Sequence, residues 1–182
     1  MRRDALGPWR AFLHDLDGEL AEPTELHCLG GFVLAVQYGL PRPTGDLDYL
    51  AIVPRKQIEK VEEIAGRGSA LARRHKLHVQ YVGITTLPEN HEDRLVDLLP
   101  GEFRRLRLKA LDPYDLALSK LERNSPKDLE DIAFLAARAR LEPQVLRQRY
   151  EQEMRPYLAN EARHDLTLKL WLELRFPTAN QS

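Results

Sequence analysis

The sequence predicts a mixed α/β fold of the α+β kind, with a mixed sheet flanked by helices and a C-terminal helical part. Short apolar runs with two-residue alternation, such as Asp46–Val53, indicate strands within the first 110 residues. Amphipathic stripes at helical spacing, such as residues 9–20, accompany these strands. From Asp112 onward, helix-start signals dominate the chain.

Composition indicates a soluble globular protein. The 182 residues are 43% hydrophobic and 30% charged, which is the balance of an ordinary globular domain. We expect an α/β core over residues 1–110 and a helical region, packed on that core, over residues 111–182. The net charge of −1 provides no overall field that would draw the chain to nucleic acid or to a membrane.

Cysteine usage and the lack of targeting segments predict a cytoplasmic protein. Cys28 has no disulfide partner in the chain, and its apolar neighbours indicate an inert, buried thiol. Residues 1–8 lack the apolar stretch of a signal peptide, and no run approaches the ~18 apolar residues of a membrane span. We therefore expect no membrane association.

Apolar spacing predicts the elements of the first half. A helix is expected over residues 9–20, with Asp17 outside its apolar stripe. Strands are expected over residues 26–29, 46–53, 77–82 and 103–108, and helices over residues 32–38, after Pro54 and over residues 93–99. Residues 66–76 are expected to form a polar connection.

Start signals define the helices of the second half. Asp112-Pro113 and Ser125-Pro126 each combine a capping side chain with proline at the first helical position. Pro143 begins a third helix, and a fourth is predicted over residues 160–174. The final residues of the chain are expected to fray. The apolar stripe of the fourth helix is expected to comprise Leu166, Leu170, Trp171 and Leu174.

Two acids at the start of strand 46–53 are the first candidate site residues. Alternation places Asp46 and Asp48 on one face, about 6–7 Å apart. Leu50 and Ile52 are expected on the same face as the acids, and Leu47, Tyr49 and Ala51 on the other. Carboxylates so placed can share divalent cations together with substrate phosphates. Such a pair can equally be a solvated strand end, since the chain contains 28 acidic residues.

A glycine pair lies where a predicted strand passes into a predicted helix. Gly30 and Gly31 allow the backbone to approach a phosphate, and the helix N-terminus offers N–H groups to an anion. Arg42 and Thr44, in the loop before the acids, can add charge and a hydroxyl. A glycine pair alone indicates a turn, but its order with the acid pair points to a metal–nucleotide site.

This ordered combination resembles the nucleotidyltransferase superfamily that includes DNA polymerase β. The likeness is carried by Leu29-Gly30-Gly31-Phe32 and by Arg42-Pro43-Thr44-Gly45-Asp46-Leu47-Asp48. It is closer to the AbiEii-like branch of abortive-infection toxin–antitoxin systems, which carries a later helical lysine and an Arg/Lys-Asp-x-x-Asp motif. Lys120 and Lys127-Asp128-Leu129-Glu130-Asp131 match these features.

The resemblance implies a role for each matched residue. It assigns nucleotide phosphates to Gly30 and Gly31, and Mg²⁺ or Mn²⁺ to Asp46 and Asp48. Lys120 and Asp128 would complete the site, as a phosphate binder or base helper and as a further acid.

The residues alone leave alternatives for this second motif. Lys120 lies at the margin of an apolar helical stripe, so its amine can point either to a site or to water. Asp128 can serve only as a capping residue of the helix that Ser125 begins, and Asp131 is then the alternative acid.

One expected ligand is missing. Many members of the superfamily carry a third metal carboxylate on a neighbouring strand, but residues 77–82 contain no acid, and His78 and Gln80 occupy the corresponding face. Either the Lys120 and Asp128 motif supplies this group, or the protein binds nucleotide without efficient turnover.

The resemblance therefore predicts transfer of a nucleoside monophosphate from a nucleoside triphosphate (NTP) to an acceptor hydroxyl or phosphate. RNA or tRNA is a candidate acceptor, and an antitoxin protein is a candidate partner. The rival hypotheses are a non-catalytic nucleotide- or partner-binding module and a small-molecule, antibiotic-type nucleotidyltransferase. Arg105, Arg107 and Lys109 share one face of a predicted strand, either as a track for RNA or another polyanion or as an ordinary exposed face.

Overall fold

The computed structural model describes residues 6–177, which fall into two compact units. The first unit comprises the chain up to Gly83 together with Leu95–Leu111, and the second comprises Ile84–Arg94 and the chain from Asp112. The expected fraying of the C-terminus and most of the segment searched for a signal peptide lie outside the described residues. Within residues 6–177, no helix combines the length and apolar character that a membrane crossing requires.

A five-stranded mixed sheet with flanking helices confirms the predicted fold class. In chain order, the first unit contains α1 (Gly7–Glu19), β1 (Thr24–Leu29), α2 (Gly30–Val33, continued by a π-helix over Leu34–Tyr38), β2 (Asp46–Val53), α3 (Ile58–Ala65, preceded by a 3-10 turn over Arg55–Gln57), α4 (Ala70–His75), β3 (His78–Tyr81), β4 (Val96–Leu98) and β5 (Leu106–Ala110).

The strands lie in the order β3-β2-β1-β5-β4. β1 is antiparallel to β2 and parallel to β5, while β3 is parallel to β2 and β4 is antiparallel to β5. Because paired residues point to the same side, the register divides the sheet into two faces. The apolar, buried face carries Leu26, Cys28, Leu47, Tyr49, Leu106 and Leu108, and the polar face carries Glu25, His27, Asp46, Asp48, Arg107 and Lys109.

A β-bulge in β2 shifts its alternation. The register moves between the pairs Cys28↔Tyr49 and His27↔Ala51, which leaves Leu50 as the extra residue. Beyond the bulge, Ile52 faces the buried side and Ala51 the polar side, so the predicted orientations of both residues are wrong. Asp46 and Asp48 precede the bulge and share one face, as predicted.

Helices pack on the apolar face of the sheet. The Tyr49 hydroxyl donates a hydrogen bond to Glu62 of α3, and the ring of Trp9 in α1 lies 4.8 Å from that of Phe32 in α2. Phe12, Leu13 and Leu16 of α1 are fully buried beneath the sheet, which confirms the predicted stripe of this helix.

Asp17, which the sequence places outside that stripe, is buried. Its carboxylate is buried and accepts backbone N–H groups from Arg105 and Leu106 at 2.7 Å and from Arg104 at 3.2 Å. Burial raises the pKa of Asp17, but the three donors lower it by more than burial raises it. The pKa of Asp17 is therefore below its ordinary value. A helix side chain thus satisfies the first donors of β5.

Three segments differ from their predictions. Residues 66–76 contain α4, whose N-cap Ser69 accepts the N–H of Ala72 at 3.0 Å. The helix predicted over residues 93–99 is wrong, because His91–Arg94 is a 3-10 turn and Val96–Leu98 is edge strand β4. A three-residue strand is too short for alternation to identify it. The strand predicted over residues 103–108 exists but begins at Leu106.

The second unit is helical, with elements α5 (Pro113–Arg123), α6 (Pro126–Ala139), α7 (Pro143–Arg149, continued by a π-helix over Tyr150–Met154) and α8 (Glu161–Arg175). Both predicted caps are confirmed. Asp112 Oδ1 accepts the N–H of Asp115 at 2.9 Å, and Ser125 Oγ accepts the N–H of Asp128 at 3.1 Å.

The predicted face of α8 is only partly correct. Its buried residues are Leu168, Trp171 and Leu172, whereas Leu166 and Leu170 are 55% exposed and Leu174 is 74% exposed. Leucines lie on more than one side of this helix, so periodicity alone does not select the packed side.

Candidate functional site

The predicted residues of the first unit meet in a close contact between Gly30 and Asp48. Gly30 has φ +81°, in the left-handed region that favours glycine. A Cβ on this residue would lie 2.5 Å from Asp48 Oδ2, so no side chain fits while the carboxylate keeps its position. The ladder pair Leu29↔Asp48 brings the two segments together. The glycine turn is therefore shaped around one of the two predicted acids.

Thr44 fixes the second acid. Its hydroxyl oxygen lies 2.8 Å from Asp46 Oδ1 and 3.0 Å from the Asp46 carbonyl oxygen, and its proton can be donated to either. The same hydroxyl would lie 3.5 Å from a Cβ on Gly31, so the second glycine also borders this loop. Arg42 is half-buried in the loop two residues before Thr44.

The glycine pair also begins a helix. Gly30 and Gly31 are the first residues of α2, and no side chain caps its N-terminus. The π-helix extends this helical segment to Tyr38. Backbone N–H groups at such an uncapped start favour an anion, because they lack acceptors within the helix and point along its dipole.

The neighbouring strand supplies no third acid. β3 pairs with β2 through Asp46↔His78 and Asp48↔Gln80, so these two polar side chains face the acid pair, as predicted. Within residues 6–177, no three His, Cys, Asp or Glu side chains are grouped so that they could hold a metal ion. Two carboxylates still match Mg²⁺, which commonly takes one or two protein carboxylates together with substrate phosphates.

Arg67 is the residue of this region that the sequence analysis missed. Its Nη2 donates to Gln80 Oε1 at 3.1 Å, on the residue that pairs with Asp48. The bridge Gly66↔Val79 places Arg67 beside β3. No motif pointed to this arginine, because its position depends on a chain reversal within a segment predicted only to be polar.

Cys28 lies directly before this site in β1. Its side chain is completely buried, as predicted. Burial and the nearby charge of Asp48 both raise the pKa of the thiol. The residue therefore packs as an apolar side chain and holds its proton at neutral pH.

The predicted residues of the helical unit form a buried charge cluster. Lys120 of α5 is 3% exposed, and its Nζ lies 2.8 Å from Asp131 Oδ2 and 3.4 Å from Asp128 Oδ1. Its amine therefore does not extend to water, which settles one alternative left by the sequence. Asp131, the alternative acid, is the closer partner of the lysine.

Asp128 has more than a capping role. Its N–H is capped by Ser125, while its carboxylate contacts Ser125 Oγ at 2.7 Å and Arg123 Nη2 at 2.6 Å. Burial raises the pKa of Asp128, but Arg123, Ser125 and Lys120 together hold it below the ordinary value. Asp128 is thus an ionised acid bridging two cations.

The structure brings the predicted residues together in two groups. Gly30, Gly31, Thr44, Asp46 and Asp48 meet in the first unit, with Arg42 in the adjoining loop. Lys120, Asp128 and Asp131 meet in the second.

A strand–glycine–helix turn built around same-face acids, on a mixed sheet, agrees with the resemblance to nucleotidyltransferases that the sequence motifs carry. The model of a family described as "nucleotidyltransferase of unknown function" (DUF6036) matches residues 11–175, and the chain belongs to that family. The match includes every residue named for the candidate site. A search of curated proteins found no match, and neither did a search of solved structures.

Proposed function

We propose that the protein is a Mg²⁺- or Mn²⁺-dependent nucleotidyltransferase. It moves a nucleoside monophosphate from an NTP to an acceptor hydroxyl or phosphate oxygen. That oxygen forms a bond to the α-phosphorus, the bond to the bridging oxygen breaks, and pyrophosphate leaves. The observation that carries the proposal is the contact of Asp48 with Gly30, because it places a metal-type carboxylate against a turn suited to phosphate.

Each residue of the first unit has a distinct role in this proposal. Asp46 and Asp48 hold the cation, which when bound neutralises phosphate charge and favours attack on the α-phosphorus. Gly30 and Gly31 offer backbone N–H groups to the triphosphate. Thr44 orients Asp46 through its hydroxyl. Arg42 adds positive charge from the adjoining loop.

Lys120 and Asp128 receive their roles from the family resemblance. Lys120 is proposed to neutralise charge that develops on the phosphates, and Asp128 to act as the further acid. The ion pairs of Lys120 with Asp131 and Asp128 fix its amine in position. An ammonium held in this way is suited to electrostatic stabilisation.

The test is label transfer from each α-labelled NTP, with Mg²⁺ and total RNA, by wild type and by Asp48→Asn. The wild type is expected to label an acceptor, and the variant to lose about a hundredfold or more in rate. Glu59→Gln is the matched control, because it makes the same chemical change at an exposed helical site in the same unit. Equal rates for Asp48→Asn and wild type would show that Asp48 has no role in the reaction.

A nucleotide-binding protein without turnover is the second candidate. The observation that favours it is Gln80, a neutral side chain held by Arg67 where a third acid would face Asp48. Calorimetry with Mg²⁺ and a non-hydrolysable NTP separates the two functions. Binding that depends on Asp48, without product from any acceptor, would establish the binding protein and exclude the enzyme.

Two classes of acceptor are proposed, RNA or tRNA and, as the alternative, a small molecule. The AbiEii-like resemblance favours a cytoplasmic toxin that modifies RNA or tRNA and is neutralised by an antitoxin protein. Growth arrest on expression, abolished by Asp48→Ala but not by Glu59→Gln, would support the toxin. In an acceptor screen, transfer of label to aminoglycosides or other small molecules but not to RNA would instead identify a small-molecule enzyme.

A further inference from the structure

We propose that Arg105, Arg107 and Lys109 form a cationic row that binds the phosphate backbone of a single-stranded RNA acceptor. The choice of a polynucleotide rests on the proposed function, while the row itself rests on the geometry of β5. The site is distinct from the glycine turn and the acid pair.

Alternation along β5 produces the row. Leu106, Leu108 and Ala110 point into the core and are buried, so Arg107 and Lys109 point to the opposite face. Arg105, directly before the strand, continues this alternation, and its carbonyl accepts the N–H of Thr24 as the ladder would. Successive cations are therefore about 6–7 Å apart along the strand, which is comparable to the separation of phosphates along an extended single strand.

The row and the acid pair share one face of the sheet. Lys109 pairs with His27, His27 pairs with Ala51, and Asp48 pairs with Leu29, two residues further along β1. These partners all belong to the polar face. β5 and β2 are separated only by β1, so the row lies about 10 Å across the sheet from the strand that carries the acids. A polynucleotide along β5 therefore has its end within a few nucleotides of the acid pair.

The cations of the row are available to an anionic ligand. Two acids on adjacent strands face the row, Glu25 opposite Arg107 and Asp97 opposite Lys109. Glu25 Oε1 lies 2.9 Å from His27 Nε2 instead. In the described part of the chain, none of the three cations forms an ion pair. Arg107 is also exposed to solvent.

The composition of the surface favours backbone contact over base recognition. No aromatic side chain is interleaved with the three cations, so stacking of bases is not provided. With a net charge of −1, attraction of a polyanion must come from a local patch such as this row. Binding should therefore depend strongly on salt and weakly on base sequence.

The test is the salt dependence of binding to a short labelled single-stranded RNA. The row variant is Arg105→Gln, Arg107→Gln and Lys109→Gln. The matched control is Lys56→Gln, Lys60→Gln and Arg73→Gln, which removes the same charge from exposed positions of the same unit. Each phosphate contact contributes about 0.7 to the salt slope for a single strand, so the row variant should lose about 2. Thermal melting of both variants checks that they fold alike.

The outcomes separate this inference from the proposed function. In one outcome, the wild type labels RNA, and the row variant has the same salt slope and the same KM for RNA as the wild type. This result would contradict RNA binding by the row but would support the proposed enzyme. If the salt slope of RNA binding depends on the row but the protein does not turn over NTP, RNA binding by the row is supported and the enzymatic function is excluded. Displacement of the RNA by polyglutamate at equal charge concentration would overturn the polynucleotide in favour of an acidic protein.

Discussion

Gly30 is constrained in two ways that have different consequences. Its positive φ demands glycine whatever surrounds it, and the space above it is taken by Asp48 Oδ2. Gly39 has only the first constraint, a positive φ of +79°. No atom of another part of the chain lies within 4 Å of the Cβ that a side chain would add there. The two glycines thus allow backbone strain to be separated from the contact with the acid.

Gly30→Ala and Gly39→Ala should therefore lose similar stability but differ in function. Each should lower the free energy of unfolding by about 1–2 kcal/mol through the left-handed conformation. Only Gly30→Ala should lose Mg²⁺–NTP binding, because the short Asp48 side chain must rotate away from the new methyl group. Urea unfolding and calorimetry measure the two effects. Unchanged nucleotide binding by Gly30→Ala would contradict the site.

Lys120 is the residue whose loss should cost the most in its unit. Lys120→Met removes the cation between two buried carboxylates, and a broken buried pair typically costs about 3–5 kcal/mol. Lys127→Met, at an exposed position in α6, is the control and should change stability by less than about 0.5 kcal/mol. Adding Asp131→Asn to Lys120→Met should recover part of the loss. A mild Lys120→Met would mean that the cluster is not tightly coupled.

At the scale of elements, β5 depends on a residue 89 positions earlier in the chain, since Asp17 accepts the N–H of Leu106. No local pattern reveals such a link. The caps at Asp112 and Ser125 were predictable, because a cap and the N–H group that donates to it lie three residues apart. β4 and the packed side of α8 were not, because tertiary contacts determine both.

Asp17→Ala should loosen the start of β5. Three buried or half-buried N–H groups lose an ionised acceptor, for an expected cost of about 2–4 kcal/mol. Glu19→Ala, on an exposed position of the same helix, should cost less than about 0.5 kcal/mol. Hydrogen exchange should accelerate at Arg105 and Leu106 in the Asp17 variant only. Unaltered exchange there would show that water replaces the carboxylate without loss.

The candidate site was likewise predictable only in part. Gly30, Asp46 and Asp48 belong to one strand–helix–loop–strand segment, and their order in this segment is the motif that indicated their proximity. Arg67 approaches Gln80 only after a helix and a reversal of the chain. The pairing of Lys120 with Asp131 over Asp128 depends on side-chain reach between two helices, which motif order does not specify.

At the scale of the whole molecule, acid should destabilise the fold. The folded-state pKa values of Asp17, Asp128 and Glu153 lie below their ordinary values, because hydrogen bonds and cations outweigh the raising effect of burial. Such groups stabilise the fold above their unfolded pKa, near 4, and this contribution disappears as the pH falls through the folded value. Asp115, whose pKa burial raises, acts in the opposite direction.

The double variant Asp17→Asn, Asp128→Asn should therefore be less stable than wild type at pH 7, with a difference that shrinks below about pH 4. Urea unfolding at a series of pH values measures it. Parallel curves for the two proteins would show that these carboxylates are not responsible for the acid response.

The buried thiol of Cys28 can serve as a native probe of unfolding, because it reacts only when the fold around it opens. As the single cysteine, in a strand paired on both sides, it should resist alkylating reagents at neutral pH until the centre of the sheet opens. Pulse alkylation followed by mass spectrometry would then count opened molecules without any engineered probe. The same protection leaves a cysteine introduced at a surface position free to carry a fluorophore alone, with the native residue retained.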